Sequence, residues 1–179
     1  MKLLGLSGSL VGWKTNVAVH NVLTAAKDLD SNIETELLDL RDYEVEFMNG
    51  DPLAYYNEDT WNVVNKVTSA DLLVIGTPIF QASISGALKN LFDHLPVDAF
   101  KGKVTGMVTN GAIDKHFLVS EYQLKPILTY LKALVPTTSI FIHEDAFNDV
   151  NEIIDKEVSM RIKMLSEEML FLQKCLDSK

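Results

Sequence analysis

The chain has 179 residues, with 16 basic against 25 acidic side chains and a formal net charge of −9. That length suits one α/β domain over residues 1–179 better than two, and the acidic balance argues against a nucleic-acid partner, leaving any anionic ligand to be held by a local arrangement. The one cysteine, Cys175, excludes an intramolecular disulfide framework and a multi-cysteine zinc site, no apolar run reaches membrane-spanning length, and the opening MKLLGLSGS is too short for a signal peptide, so a cytoplasmic protein without a membrane partner is expected.

Residues 2–6 read as a strand and residues 15–29 as a helix, whose Val19, Val22, Leu23 and Ala26 recur at helical spacing. Residues 33–40 alternate apolar and polar, as a strand does. Residues 41–57 have no clear period and contain Gly50, Pro52 and the Tyr55-Tyr56 pair, which predicts a long functional loop. A helix over 60–68, a strand over 72–76 and a helix over 84–95 follow, the last with Ile84, Leu88, Leu91, Phe92 and Leu95 on one face. Residues 103–109 read as a strand, 122–134 as a helix and 138–142 as a strand. The apolar stripe Val150, Ile154, Val158, Ile162, Leu165, Met169 and Leu172 predicts a long final helix, with Met160 and Met164 also expected to face the core. Five strands with intervening helices imply a parallel sheet covered on both faces, with ligands beyond the strand C-terminal ends. The loops to inspect are therefore residues 7–16, 78–85 and 110–117.

SGSLVGWKTN joins the first strand to the first helix. Its small and hydroxylated residues, Ser7, Gly8, Ser9, Thr15 and Asn16, suit a loop whose backbone N–H groups meet an anion with the help of the helix dipole, and Lys14 is the nearby cation. A Walker A loop is excluded, because Gly8 and Gly12 enclose three residues and Trp13 precedes Lys14. The glycine spacing also departs from the Rossmann fingerprint, although Asp39 near the end of the second strand imitates its ribose-binding acid. A plain strand-to-helix turn remains the alternative.

The stretch TPIFQASISGALKNLFDHLP breaks a buried strand at Pro78, then offers apolar surface at Ile79 and Phe80 and neutral hydrogen-bonding groups at Gln81, Ser83 and Ser85. A flat, polar-edged ring suits that mixture. His20, His94 and His143 have no metal-ligand spacing and read as surface or interface residues, and His116, in the loop after the fourth strand, reads as a solvated histidine with contact to a bound ring as the alternative. No metal site and no catalytic acid, base or nucleophile is expected. A GxSxG elbow is absent around Ser9, which disfavours hydrolysis.

SGSL…KTN, TPIFQASISGALKNLFDHLP and EYQLKPIL together resemble the NADPH-dependent FMN reductases of the flavodoxin-like superfamily, most closely those supplying reduced flavin to alkanesulfonate monooxygenases. The resemblance implies a three-layer α/β/α sandwich with a five-stranded parallel sheet. It implies hydride transfer from NADPH or NADH to FMN, with Ser9, Lys14, Thr15 and Asn16 at the FMN phosphate. Pro78, Ile79, Phe80 and Gln81 would line the isoalloxazine, and Asn110, Gly111 and Ala112 would approach its other edge. A homodimer or homotetramer and a flavin-dependent monooxygenase partner are implied as well, with residues 41–57 and the helix around Tyr122 as candidate contacts. Val11 and Gly12 stand where the family often has an arginine, and Ile79-Phe80 stands where azoreductase-like members carry an acidic-aromatic pair. An FMN-retaining quinone or azo-dye reductase and a flavodoxin-like electron carrier are the alternative functions. Pro126 interrupts a helical pattern and removes the bond to the Tyr122 carbonyl; the reductases resembled here carry a tyrosine insertion and a π-bulge in this helix, at Tyr122 in this chain. A regular helix start at Tyr122 is the competing expectation.

Overall fold

The computed structural model describes residues 1–178. β1 (Lys2–Ser7), β2 (Glu34–Asp39), β3 (Leu72–Pro78), β4 (Thr105–Gly111) and β5 (Ile140–His143) form one sheet in the order β2-β1-β3-β4-β5. Every pair is parallel. β3 is central and buried along its whole length, as expected of a strand covered on both faces.

Alternation along the strands divides the core into two layers. Leu4, Leu73 and Ile75 face one way, onto α2 (Glu58–Ser69) and α3 (Gly86–His94) through Val63, Val67, Leu88 and Leu91. Leu3, Leu72 and Val74 face the other way, onto α1 (Lys14–Leu29) and the last helix through Val19, Val22, Ile162 and Met169. The result is the expected three-layer α/β/α sandwich in flavodoxin-like order. The chain leaves β1 toward β2 and returns to β3 on its other side, so the loops after β1 and β3 diverge from a switch point, where ligands of such sheets bind.

The fourth crossover departs from the expected helix over 122–134. α4 (Phe117–Val119) runs into a π turn (Ser120–Leu124) and then α5 (Lys125–Tyr130). The N–H of Lys125 reaches the carbonyl of Ser120 five residues back, while Pro126 has no N–H to offer Tyr122. Tyr122 thus lies inside a π turn, and the competing expectation of a regular helix start there is set aside. The helix then ends at a left-handed Lys132, φ 72°.

Two further boundaries move for hydrogen-bonding reasons. α3 begins at Gly86 because Ser85 caps it, its Oγ accepting from the Leu88 N–H at 3.1 Å. β5 begins at Ile140 because the Glu168 carboxylate takes the N–H groups of Thr137 (2.7 Å) and Thr138 (3.0 Å) away from the ladder. α6 (Lys156–Asp177) starts at its Asp155 cap, so Val150 and Ile154 lie outside it and are exposed. Met169 is core, but Met160 and Met164 are exposed, contrary to expectation; they sit on the outer face of the helix.

His94 is buried rather than a surface residue. Its Nε2–H donates to the Glu46 carbonyl (2.8 Å) and its ring meets Tyr56 edge-on at 4.6 Å. Asn90 also donates to Glu46 O (2.9 Å) and accepts from the Met48 N–H (2.9 Å). One face of α3 therefore fixes the long segment after β2, which contains only two short 3-10 turns of its own. Among the described residues, no helix is long and apolar enough to cross a membrane and no three His, Cys, Asp or Glu side chains gather as metal ligands.

Candidate active site

The loop after β1 is tied down from behind. The Gly8 N–H donates to Gly76 O (2.8 Å), and Gly12 turns the chain at φ 70° into α1. α1 differs from the other long helices at its start. α2, α3 and α6 are capped by the side chains of Asn57, Ser85 and Asp155, whereas Trp13 at the N-cap of α1 makes no side-chain cap bond and no acidic residue occupies the first turn. The first-turn N–H groups, at Lys14, Thr15 and Asn16, have no intrahelical acceptor and face the end of the sheet with the dipole's positive pole.

The side chains expected to hold a phosphate are largely engaged elsewhere. Ser9, buried, turns back on its own loop: its hydroxyl donates to Val11 O (2.7 Å) and accepts from Val11 N (3.3 Å). Thr15 donates to Asn110 Oδ1 (2.7 Å) and Asn16 Nδ2 to Asp39 Oδ2 (2.5 Å). The Lys14 ammonium lies 3.4 Å from Glu144 O and 5.4 Å from the centre of the Phe147 ring. These side chains shape the loop, and the first-turn backbone N–H groups of α1 are left without a side-chain cap.

Asp39 is not positioned as a ribose-binding acid. Its carboxylate accepts from the Arg41 backbone N–H (3.0 Å), Arg41 Nε (3.0 Å) and Nη2 (2.6 Å), and Asn16. Burial works to raise its pKa, but the Arg41 hydrogen bonds and charge and the Asn16 amide outweigh it and hold the carboxyl below the usual carboxylate range. Arg41 Nη1 reaches on to Gly12 O (2.7 Å), and its guanidinium stacks 3.8 Å from the centre of the Trp13 ring. Asp39 and Arg41 thus lock the cradle from the side.

The loop after β3 is a two-residue hairpin. Phe80 and Ser83 exchange both backbone hydrogen bonds at 3.0 Å, and between them Gln81 and Ala82 stand at φ 49° and 57°. Two consecutive left-handed residues of this kind ordinarily call for Asn-Gly or Gly, so the tip is strained, a state found most often at functional sites. The π turn holds it: Gln123 accepts from the Ser83 hydroxyl (2.6 Å) and donates to Ala82 O (2.8 Å). Gln123 falls inside the EYQLKPIL motif, but its role as a clamp depends on a helix register that the pattern does not specify.

Asn110 joins the two loops. Its side chain accepts from Thr15, and its carbonyl accepts from the Ile79 N–H (2.9 Å). Beyond it, His143 Nε2–H donates to Ala112 O (2.9 Å). His116, expected to be solvated, instead folds over Gly111, where a Cβ would come within 2.8 Å of its Nδ1 and 3.4 Å of the Ile79 Cβ. That Nδ1 is buried and has no partner among the described residues. A hollow of about 230 Å³, bordered by Gly12, Lys14, Thr15, Pro78, Phe80 and Asn110, links the anion cradle to the half-exposed Phe80. Uncapped N–H groups at one end, a proline and an aromatic ring at the other, and neutral amides between them fit an FMN molecule. A triphosphate with its metal is not served by this donor set.

A family model described as NADPH-dependent FMN reductase matches residues 1–147. The chain is 49% identical over 178 residues to an NAD(P)H-dependent FAD/FMN reductase of Geobacillus thermodenitrificans, covering 99% of this chain and 96% of that protein. Among solved structures, an oxidoreductase from Corynebacterium diphtheriae aligns with a TM-score of 0.79 at 23% identity over 99% of this chain and 97% of the other. A flavodoxin from the domain Archaea aligns at 0.68 and 10% identity over 97% and 99%. Those two likenesses establish the flavodoxin-like fold, and the match over residues 1–147, with the cradle and hairpin inside it, places the chain in the NADPH-dependent FMN reductase family.

Proposed function

We propose that the protein is an NAD(P)H-dependent flavin reductase whose cleft binds FMN, and by likeness to the Geobacillus enzyme also FAD. The bound flavin supplies the hydride-accepting chemistry. The observation that carries the proposal is the junction at Asn110, which unites the uncapped start of α1 and the strained Phe80 hairpin in one surface.

In this assignment the backbone N–H groups of Lys14, Thr15 and Asn16 receive the phosphate, with Ser9 and the Asn16 side chain setting the loop's shape and Lys14 adding charge at its rim. Pro78, Ile79, Phe80 and Gln81 line the ring. Asn110, Gly111 and Ala112 border its other edge, where His116 brings a free nitrogen. No side-chain acid or nucleophile is required of the protein; it stacks nicotinamide over flavin and fixes neutral dipoles around the ring. Phe47, Tyr55, Tyr122 and Tyr130, all well exposed, are assigned to self-association as a dimer or tetramer, and reduced flavin is passed to a monooxygenase.

Anaerobic oxidation of NADPH and NADH, followed with and without added FMN, tests the activity. FMN-dependent oxidation is expected; oxidation indifferent to FMN, or none with it, would remove the proposal. Yellow flavin that stays with the protein through gel filtration would favour the FMN-retaining quinone or azo-dye reductase. A backbone anion cradle predicts FMN binding at least about tenfold tighter than riboflavin binding, since hydrogen bonds to a charged group contribute about 1.5–3 kcal/mol.

A further inference from the structure

We propose that the indole of Trp13 is a stacking platform for an adenosine phosphate, namely the AMP half of FAD; the proposal rests on the flavin site described above. FAD is FMN joined through its phosphate to the phosphate of AMP by a pyrophosphate bond, so its adenosine has to leave the site from the phosphate cradle. The surface there exceeds what an anion loop requires. Leu10, Val11 and Trp13 are 57, 64 and 59% exposed, three large apolar side chains in the segment that leads into the uncapped helix start. Trp13 packs into neither core layer, and its side chain makes no cap bond to α1.

Trp13 is also ordered in advance. One face of the ring is covered by the Arg41 guanidinium at 3.8 Å. Arg41 is itself held by the Asp39 carboxylate and by Gly12 O. With one face braced and more than half the residue exposed, the other face is available to a base, and little side-chain freedom remains to be lost on stacking. Arg41 is already paired with Asp39, so it braces the ring without adding a free charge, and α1 sets no acidic residue of its first turn against a second phosphate. NADH carries the same AMP unit and NADPH carries it with a 2′-phosphate, but only in FAD is that unit tethered to the phosphate in the cradle, which is why FAD is the assigned source.

The test is titration of the apoprotein with FMN and with FAD by flavin fluorescence, and of the FMN-loaded protein with NADP⁺. Trp13→Ala is expected to weaken FAD about tenfold more than it weakens FMN, the scale of one stacked base, because Trp13 also borders the hollow assigned to FMN, while NADP⁺ changes by less than about twofold. Trp13→Phe is expected to recover most of the FAD loss. Equal losses for FMN and FAD would make Trp13 a prop of the cradle, a loss confined to NADP⁺ would assign the platform to the nicotinamide cofactor, and no loss would leave it without a ligand; each overturns the proposal. Wild-type protein that binds neither flavin would overturn the flavin site itself, a result distinguishable from the other three.

Discussion

Gln123 and Ser83 are joined by a 2.6 Å hydrogen bond across 40 residues of sequence, and the same glutamine donates to the neighbouring Ala82 carbonyl. The π turn thereby reaches the tip of the hairpin proposed to line the flavin ring. Gln123→Leu is expected to lower FMN affinity about tenfold, the cost of about one or two lost hydrogen bonds, with thermal stability almost unchanged because the glutamine is only part-buried. Gln123→Glu retains the acceptor for Ser83 and sets a carboxylate against Ala82 O, so it should fall at or below the leucine variant. Equal FMN affinity in all three proteins, measured by fluorescence titration, would show that the clamp does not position the ring-binding loop.

Asp39 and Arg41 form the corresponding lock on the loop after β1, the proposed phosphate cradle. Asp39→Asn leaves the guanidinium, bonded to Gly12 O and stacked on Trp13, without its counter-charge. The expected loss is about 2–3 kcal/mol, somewhat less than for a fully buried pair because Arg41 keeps some contact with solvent. Because the folded-state pKa of Asp39 is lowered, its contribution is fully present above the ordinary aspartate value and disappears as pH falls through the depressed folded value. The gap in denaturant stability between wild type and Asp39→Asn should therefore stay flat from about pH 5 to 8 and close below about pH 4. A gap that widens in acid would contradict the assignment.

His116 and Gly111 test the far edge of the ring. Gly111→Ala puts a methyl group 2.8 Å from His116 Nδ1, so the imidazole has to swing outward. FMN affinity should fall several-fold, with a stability loss of about 1 kcal/mol or less, since the displaced group is a half-exposed side chain. In a His116→Ala background the same methyl group should have little additional effect on affinity. Additive losses in the double variant would mean that Gly111 acts independently of His116.

The sheet was legible because its signals are local. Continuous apolar runs such as residues 72–76 marked buried strands, and recurring Val19, Val22 and Leu23 marked a helix. The positions of Pro78, Phe80 and Asn110 in one cleft could be anticipated from strand order, since loops beyond the same sheet edge converge. What escaped was set by long-range hydrogen bonding: Glu168 delaying β5, Glu46 accepting from His94, and Arg41 turning toward Gly12. Met160 and Met164 were assigned to the core by residue type, but the axis of α6 turns them outward. Which groups of the phosphate loop are already engaged is legible only in the fold: side-chain chemistry is visible in a sequence, whereas the hydrogen bonds of Ser9, Thr15 and Asn16 to Val11, Asn110 and Asp39 are a property of the folded loop.

Ala82 offers a separation of stability from function at the hairpin tip. A left-handed conformation costs an L-residue about 1–2 kcal/mol, and Ala82 sits there at φ 57° beside Gln81 at 49°. Ala82→Gly removes that cost, partly offset by the greater chain entropy of glycine when unfolded, for a net gain of about 0.5–1 kcal/mol. A rise in melting temperature of about 2–3 °C follows for a chain of this size. The same substitution loosens the tip that Gln123 holds, so FMN affinity should drop several-fold even as the protein becomes more stable. Affinity and melting temperature moving in opposite directions is the signature of strain retained for ligand positioning; if both rise together, the strained tip is incidental to flavin binding.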